Sequence, residues 1–445
     1  MCCNHPACGG AGRGCGGGDN GAGWRSTMRQ VNQSNGLHVH DQSGQRKPRI
    51  ALYSHDTQGL GHIRRNLLLA SVFRRMGTDP IVLMLSGARE LGSFALPPGV
   101  DCVTLPALAK DVHGRYGSRS LEVSLDDVVD IRSRVFRAAL ESFAPDVFIV
   151  DKAPRGALNE LDTVLRSLRD TGRTRMVLGL REILDDSESV EREWREGAFE
   201  DVVREYYDRV WIYGDQSVFD TLGEYGLSDE VRRKSRFTGY LDPRDCWLPT
   251  TPREAPIVQP EDIPPPPFVL CEVGGGQDGA PLARAFLDTP LPRCWNGVLV
   301  TGPQMPIAQR EEFKRRAAGR TDMRVLEFVT DCRPLLERAD RVICMGGYNT
   351  VCEVMAYGKA ALVIPRTVPR TEQLIRAERL ARMGFLDMLT PDCLSPAALT
   401  AWLAGPEPAN ARDAARRIDM RGTQRLPGLL REVMDARPEV RHALA

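Results

Sequence analysis

The sequence predicts an α/β protein made of two doubly wound parallel β-sheets. Short apolar runs alternate with helical stretches along most of the chain, which is typical of parallel strands covered by helices. Several of these runs end in glycine loops. A proline-rich segment, TTPREAPIVQPEDIPPPP, separates one such series from another. Because 445 residues exceed the size at which one core keeps growing, two domains are expected.

These observations divide the chain into five parts. We expect a disordered leader at 1–48, a first domain at 49–241, a linker at 242–267, a second domain at 268–430 and a polar tail at 431–445. The leader is rich in Gly, Ser, Asn and Gln, which favours disorder. It also holds His5 near four cysteines (Cys2, Cys3, Cys8 and Cys15). A metal site there stays the alternative, although no paired CxxC spacing is present.

Composition excludes some functions. Lys+Arg and Asp+Glu both number 59, and this balance argues against a general nucleic-acid binder, which needs a basic excess. The other eight of the 12 cysteines are scattered, as expected for buried thiols in a reducing compartment. No apolar run approaches the ~20 residues that span a bilayer, and the N-terminus lacks the apolar core of a signal peptide. We therefore expect a cytoplasmic protein.

The first domain alternates strands and helices in order. Its predicted strands are IALYSH from Ile50, Ile81–Leu85, Cys102–Leu105, PDVFIVD ending at Asp151, RMVLGLRE ending at Glu182, RVWIYG and RFTGYL. Its predicted helices are Ile63–Met76, Leu125–Phe143, Gly156–Arg169, Glu188–Tyr207 and Ser217–Tyr225.

The second domain repeats the pattern. Its predicted strands are FVLCEV, GVLV, RVLEFV, Arg341–Met345 and Ala360–Ile364. Its predicted helices are Ala280–Leu287, Ala308–Gly319, Cys332–Glu337 and one that follows Asn349, with further helices past Met383. The carboxyl ends of both sheets are expected to line a cleft between the domains.

The loop GLGHIRR after the first strand is not a dinucleotide fingerprint. Arg64 replaces the third glycine of GxGxxG, and no carboxylate ends the next strand. Hydride transfer to a nicotinamide therefore loses its main support.

A diphosphate site is predicted where the strand Arg341–Met345 breaks at Gly346 and Gly347 before Tyr348, Asn349 and Thr350. A glycine turn at a helix N-terminus offers unpaired N–H groups and a positive dipole end. Glu353, Glu372 and Gln373 follow, with side chains that suit sugar hydroxyls. We interpret this stretch as a nucleotide-sugar pocket.

Structural alternatives apply to parts of this pocket. Gly274, Gly275 and Gly276 would let backbone amides approach the donor, but a glycine turn can also serve packing alone. Glu353 lies three residues after Thr350, a spacing that also fits a capping box.

For the general base, His62 is the first candidate, because it lies at a helix start beside the cleft and titrates near neutral pH. His55 and Asp56 are the competitors, and a positioning or N-cap role for His62 is the alternative. Arg65, Lys152 and Arg181, with Arg64 and Arg155, are candidates for binding an acidic or phosphorylated acceptor. Any one of them can instead be a solvated surface charge.

With these motifs in place, the chain resembles the family 28 glycosyltransferases, the MurG-like enzymes that make a disaccharide lipid intermediate of the cell wall. The resemblance is best over 325–377, in LEFVTD, LLERADRVICMGGYNTVCEVMAYGKAALVIP and EQLIRA, with weaker echoes in GLGH and GGGQDG. It implies the GT-B architecture, in which two Rossmann-like domains face a cleft and the second holds the sugar nucleotide. It also implies metal-independent transfer with inversion at the anomeric carbon.

The resemblance also implies residue roles. Phe328 and Val329 match the segment that contacts the base, and Gly347 to Thr350 match the phosphate turn. Glu353 matches the ribose carboxylate and Gln373 the amide that contacts the donor sugar. Gly59, Gly61 and His62 match the loop associated with the acceptor's phosphate. Arg376 stands where the family often has Asn.

The leading hypothesis is an inverting glycosyltransferase that uses a UDP-sugar, no cofactor and no metal. Its acceptor would be a glycan, a lipid-linked molecule or a small molecule of cell-envelope or polysaccharide synthesis, met in the cytoplasm or at the inner face of the membrane. A nucleotide-sugar 2-epimerase shares this fold and diphosphate site. A binding protein that lost turnover is the third hypothesis.

Overall fold

The computed structural model describes residues 46–55, 59–110, 115–247 and 258–436. The leader up to 45, Asp56, residues 248–257 of the proline-rich linker and the last nine residues lie outside this range, so the predictions made for them stay predictions. Residues Pro48–Ala445 form one compact unit.

The first sheet has seven parallel strands in the order β3-β2-β1-β6-β7-β8-β9. They are β1 (Arg49–Ser54), β2 (Ile81–Ser86), β3 (Val100–Thr104), β6 (Val147–Asp151), β7 (Arg175–Arg181), β8 (Arg209–Tyr213) and β9 (Ser235–Phe237). A separate antiparallel hairpin pairs β4 (Leu108–Lys110) with β5 (Tyr116–Ser118). The helices are α1 (Gly61–Arg74), α2 (Leu125–Phe143), α3 (Asp162–Thr171), α4 (Ser187–Glu196), α5 (Phe199–Tyr206), α6 (Thr221–Glu224) and α7 (Asp229–Lys234).

The second sheet has six parallel strands in the order β12-β11-β10-β13-β14-β15. They are β10 (Phe268–Glu272), β11 (Asn296–Val300), β12 (Met323–Leu326), β13 (Arg341–Cys344), β14 (Ala360–Val363) and β15 (Asp387–Met388). The helices are α8 (Ala280–Leu287), α9 (Ile307–Ala318), α10 (Arg333–Arg338), α11 (Tyr348–Ala356), α12 (Glu372–Arg382), α13 (Pro396–Ala404), α14 (Ala414–Arg417) and α15 (Gly422–Asp435). Short 3-10 helices cover Arg89–Ser93, Ala157–Asn159, Pro243–Asp245, Pro260–Asp262, Pro391–Cys393 and Ala411–Asp413.

Both sheets have the doubly wound order, so the predicted fold class is confirmed. In each sheet the first strand in sequence is central, and the order reverses beside it, between β1 and β6 and between β10 and β13. Ligands of open α/β sheets bind outside the carboxyl ends of the strands at this reversal. The glycine loops that follow β1, β10 and β13 lie at these two points.

Several predicted element boundaries are wrong. The single helix predicted at 188–207 is two helices, because Ala198 has a left-handed φ of 49° and, with Gly197, ends α4 before α5 begins. The helix predicted from Gly156 starts at Asp162 after a 3-10 turn, and the one predicted at 217–225 covers only Thr221–Glu224. RFTGYL contributes only two residues to the three-residue strand Ser235–Phe237. The long polar loop after β3 contains the hairpin.

The C-terminal helix belongs to the first domain by its contacts. Helix α15 runs past the predicted tail boundary to Asp435 and packs against α1. Its first residue, Gly422, donates its N–H to the Tyr240 carbonyl oxygen at 3.0 Å, and Arg425 donates to the Thr238 carbonyl oxygen at 2.7 Å. The predicted boundary at residue 430 therefore misses a crossing back to the first domain.

A buried ion pair joins the two domains. Arg376 on α12 and Glu182 after β7 are both fully buried, and Arg376 Nε lies 2.7 Å from Glu182 Oε1. The Tyr240 hydroxyl donates to the same carboxylate oxygen at 3.1 Å. Because two desolvated charges compensate each other only while both are present, this pair ties helix α12 to the first sheet.

Replacing Arg376 with Met should destabilise the protein by about 3–5 kcal/mol, because Glu182 would be left as a buried, uncompensated charge. The free energy of unfolding in urea measures this change. Arg382→Met, an exposed position on the same helix, is the matched control. Adding Glu182→Leu to Arg376→Met should recover part of the loss. If the free energy of unfolding of Arg376→Met lies within about 1 kcal/mol of that of the control, this interpretation of the pair is wrong.

Candidate functional site

A cavity of about 740 Å³ lies between the two sheets. It is lined by the glycine loops after β1, β10 and β13, by residues that follow β6, β7 and β12, and by the loop before α12. These segments come from both domains. The carboxyl ends of the two sheets therefore face one shared space, as the sequence predicts.

Most of the predicted site residues line this cavity. Those that do are His55, Gly59, Gly61, His62, Arg65, Lys152, Arg181, Gly274, Gly275, Gly276, Phe328, Val329, Gly347, Tyr348, Asn349, Thr350, Glu372 and Gln373. Gly346 and Glu353 lie behind the wall, and Glu353 lines a smaller neighbouring cavity. Asp56 is outside the described residues. Arg155 binds Asp162 instead and is not part of the lining.

The glycine loops of the two domains meet across the cavity. A Cβ added to Gly275 would lie 2.9 Å from the Gly59 Cα, and one added to Gly276, whose φ is +89°, would lie 2.1 Å from the Thr301 carbonyl oxygen. Glycine is therefore required here by packing. The same lack of side chains leaves backbone open to a ligand in the cavity.

Helix α11 begins at the glycine turn that follows β13, at Gly346 and Gly347. Gly347 is its N-cap and no side chain caps its first N–H groups, so the start of α11 suits an anion. Thr350 lies inside the helix, and the capping-box alternative for Glu353 is therefore wrong. Asn349 donates from Nδ2 to the Gly61 carbonyl oxygen at 2.9 Å.

Glu353 is paired across the domains. It is 2% exposed, its Oε1 accepts a hydrogen bond from Arg64 Nη2, and its Oε2 has no hydrogen-bond partner among the described residues. Burial raises the pKa of Glu353, and the nearby Arg64 guanidinium opposes this rise. Arg64 lines both cavities. One Glu353 oxygen is therefore held by Arg64, and the other is buried without a hydrogen-bond partner among the described residues.

A second buried carboxylate, Glu272, was not singled out from the sequence. It ends β10, lines the main cavity and is 5% exposed. Burial, and then the charge of Glu353, raise the pKa of Glu272 to about 7. The available signal was a glutamate that interrupts the apolar run FVLCEV just before the glycines.

The first domain contributes a histidine held by a carboxylate. His62, the second residue of α1, has its Nδ1 2.5 Å from Asp151 Oδ2, and Arg65 also binds Asp151. Burial alone would raise the pKa of Asp151, but the charges of Arg65 and His62 hold it well below its usual range. A carboxylate at Nδ1 orients an imidazole and stabilises its protonated form. This arrangement suits a general base.

His55 is the neighbouring alternative. It follows β1, is buried, and its ring centroid lies 4.8 Å from that of His62. Both imidazoles line the cavity, but the contact with the buried Asp151 is made by His62. Arg65 is 2% exposed, so the surface-charge alternative is wrong for it.

Charge in the cavity lining is predominantly positive. The Lys and Arg side chains in the lining are Arg64, Arg65, Lys152, Arg181, Arg366 and Arg370, and the carboxylates are Glu272, Asp278 and Glu372. Although burial opposes it, the cations Arg181, Arg366, Lys152 and Arg376 lower the pKa of Glu372 to about 2. An excess of cations in a cleft favours anionic ligands.

Two other lining residues, Gln304 and Arg366, were not singled out from the sequence. Gln304 follows β11 and its Oε1 accepts a hydrogen bond from the Gly59 N–H at 2.9 Å. Arg366 donates its backbone N–H to Gln373 Oε1 at 3.0 Å, which orients the amide predicted to contact the donor sugar. The sequence signals were polar residues in TGPQMP and RTVPRTEQ.

Comparison with known proteins gives the family. Residues 275–418 match the glycosyltransferase family 28 C-terminal domain. This range contains the glycine turn at Gly346 and Gly347 and also Glu353. This match covers most of the second domain. The resemblance noted over 325–377 is therefore confirmed.

The matching curated proteins are UDP-N-acetylglucosamine--N-acetylmuramyl-(pentapeptide) pyrophosphoryl-undecaprenol N-acetylglucosamine transferases. That of Aliivibrio salmonicida is 30% identical over 151 residues, which is 32% of this chain and 42% of that protein. That of Pelobacter propionicus is 33% identical over 150 residues, or 32% of this chain and 39% of that protein. The chain thus matches less than half the length of these relatives.

Solved structures share the complete two-domain fold. The glycotransferase of kitacinnamycin has a TM-score of 0.56 at 16% identity, covering 87% of this chain and all of that one. UDP-glucose: anthocyanidin 3-O-glucosyltransferase in complex with UDP has a TM-score of 0.55 at 11% identity, covering 87% of this chain and 99% of that one. A Listeria monocytogenes protein assigned as a UDP-N-acetylglucosamine 2-epimerase has a TM-score of 0.57 at 13% identity, covering 88% of this chain and 98% of that one. These similarities confirm the GT-B fold.

The described residues lack two features. Within 46–55, 59–110, 115–247 and 258–436, no three His, Cys, Asp or Glu side chains group in a way that could hold a metal ion. In the same ranges no helix is long and apolar enough to cross a membrane.

Glu272 should make the stability of the protein depend on pH. Its pKa of about 7 in the folded state exceeds that of an unfolded glutamate, ~4.3. Its neutral form therefore stabilises the fold at low pH, and this contribution is lost as pH rises through 7. Glu272→Gln should exceed the unaltered protein in stability by about 1–3 kcal/mol at pH 8, and this difference should shrink at pH 5.

Urea unfolding at the two pH values measures this difference. Glu337→Gln, at an exposed position on α10, is the control and should show no such dependence. If the gain in the free energy of unfolding of Glu272→Gln is equal at pH 5 and pH 8, titration of this carboxyl is ruled out as its cause.

Proposed function

We propose that this protein is an inverting, metal-independent glycosyltransferase that moves a sugar from a UDP-sugar to a hydroxyl of a cell-envelope or polysaccharide-type acceptor. The observation that carries the proposal is the position of the family 28 domain match, 275–418. This match covers one wall of the cavity. The opposite wall contains His62, whose imidazole is hydrogen-bonded to Asp151.

The second domain binds the donor in this proposal. The start of α11 and the loop at Gly274–Gly276 receive the diphosphate through backbone N–H groups. Glu353 accepts hydrogen bonds from the ribose, Phe328 and Val329 contact the base, and Gln373 contacts the sugar. The choice of UDP follows the relatives, which are named for UDP-N-acetylglucosamine as donor.

The chemistry requires a proton acceptor and a stabilised leaving group. The acceptor hydroxyl attacks the anomeric carbon from the face opposite the diphosphate and transfers its proton to the imidazole of His62. The bond between that carbon and the diphosphate oxygen breaks, and its electron pair leaves with the diphosphate. The N-terminus of α11 stabilises this charge. Attack from the opposite face inverts the anomeric carbon.

The relatives' names also suggest where the reaction occurs. Their acceptor is a pyrophosphoryl-undecaprenol, a lipid-linked molecule. We infer a lipid-linked, glycan or small-molecule acceptor for this protein, met in the cytoplasm or by peripheral contact with the inner face of the membrane. The 2-epimerase shares the fold, but the family 28 match favours transfer.

Glu353→Gln should weaken UDP binding about 10–100-fold, because hydrogen bonds to a charged carboxylate are worth about 1.5–3 kcal/mol. Calorimetry with UDP, GDP, ADP and CMP measures the affinity and identifies the base. Glu337→Gln is the matched control and should bind UDP normally. If no nucleotide binds the unaltered protein, the proposed function is wrong.

His62→Asn should lower the rate of UDP release from UDP-sugar and acceptor about 10²–10⁴-fold, the range contributed by a general base. UDP affinity should stay within about twofold. His55→Asn provides the comparison: a larger loss for it moves the base to His55. Conversion of the donor without any acceptor, followed by NMR, would support the epimerase alternative instead.

A further inference from the structure

Lys152 has a backbone conformation that L-residues rarely adopt. It directly follows β6, and its φ is 69°. The Ala153 N–H donates to the Asp151 carbonyl oxygen at 2.9 Å, which closes a three-residue turn around Lys152, and the Lys152 N–H donates to the Gly179 carbonyl oxygen at 2.7 Å. Such turns are strained, and they persist where the surrounding structure holds them. This turn places a lysine, not a glycine, at the cavity wall.

The Lys152 ammonium group makes no hydrogen bond or ion pair with any residue in the described ranges, although the side chain is half-buried and lines the cavity. Burial, and then the charges of Arg370 and Arg181, lower the pKa of Lys152 to about 7, and Glu193 and Glu372 only partly oppose this effect. A cation placed beside two other cations is unfavourable unless an anion joins them.

Carboxylates lie beside both arginines. Arg370 Nη1 lies 3.0 Å from Glu193 Oε2 and 3.3 Å from Asp185 Oδ2. Arg181 Nη1 lies 3.6 Å from a Glu372 oxygen, and its buried Nε has no hydrogen-bond partner in the described part of the chain. Lys152 thus keeps unused donors at the cavity, and Arg181 lines the same cavity with a buried Nε that has no partner among the described residues.

We propose that Lys152, Arg181 and Arg370 form a subsite for an anionic group, a carboxylate or a phosphate, carried by the acceptor. This inference rests on the proposed function and specifies its acceptor. Lys152 is adjacent in sequence to Asp151, which holds His62, so the subsite lies between the wall that supplies the base and Arg370 of the second domain. The anion therefore places an acceptor hydroxyl near His62.

The test uses the full chain saturated with UDP, so that the donor diphosphate site is occupied. Calorimetric titrations with glucose 6-phosphate, glucuronate and glucose supply phosphate, carboxylate and neutral probes. We expect at least one anionic sugar to bind tenfold or more tightly than glucose. Comparing the two anionic probes distinguishes a phosphate site from a carboxylate site.

Three variants separate the role of Lys152 from a structural one. Lys152→Ala should weaken binding of the anionic sugar at least tenfold, and Lys152→Arg should keep it within about threefold. Lys234→Ala removes a half-buried lysine that binds two carbonyl oxygens elsewhere in the first domain, and it should leave anion binding unchanged.

Proton uptake provides a further readout. A bound anion raises the pKa of Lys152 above 7, because it favours the charged form. At pH 7.5 glucuronate is fully ionised, so its binding should take up a fraction of a proton, measured in buffers of different ionisation enthalpy. Lys152→Arg should bind without uptake, since arginine is already protonated.

The outcomes are distinguishable. Absence of UDP binding overturns both the proposed function and this inference. Normal UDP binding with equal affinity for all three sugars overturns the inference alone. A tenfold preference for UDP-glucuronate over UDP-glucose that disappears in Lys152→Ala assigns the anion to the donor, and so overturns the assignment to the acceptor.

Discussion

The buried ion pair between Arg376 and Glu182 is a contact between the two domains that neither side chain can lose without leaving a buried charge. Both side chains are fully buried, so each charge depends on the other for compensation. Arg376 lies on α12, the helix that begins with Glu372 and Gln373. Holding this helix against the first sheet therefore holds the residues proposed to contact the donor sugar opposite Lys152 and Arg181. A contact outside the proposed chemistry thus helps to position the site.

Groups proposed to bind the nucleotide also join the domains. Glu353 accepts a hydrogen bond from Arg64, Asn349 donates to the Gly61 carbonyl oxygen, and the loop at Gly275 lies against Gly59. A nucleotide that uses Glu353 or the start of α11 must share or replace these bonds. Donor binding and the spacing of the domains are thus linked, because the same atoms serve both.

Local patterns predicted much of the fold and of the site. The apolar strands ending in glycine loops led correctly to two doubly wound sheets, and the motifs of 325–377 led to the family. Predictions failed where local signals were weak. Gly197 and Ala198 split one predicted helix into two, and α15 follows an apolar pattern that does not reveal which domain it covers. Its packing against α1 depends on contacts between distant parts of the chain.

By itself the sequence determined where backbone is open to a phosphate, because a glycine turn between strand and helix is a local property. It also placed His62, Glu353 and Gln373 on those loops and helices. Only the tertiary structure decided their partners. Arg64 and Glu353 are 289 positions apart, and no periodicity relates them. The same holds for Lys152. Burial and the charges of Arg370 and Arg181, which belong to different domains, lower its pKa. Electrostatic environment is set by distance in space, which the order of residues along the chain does not encode.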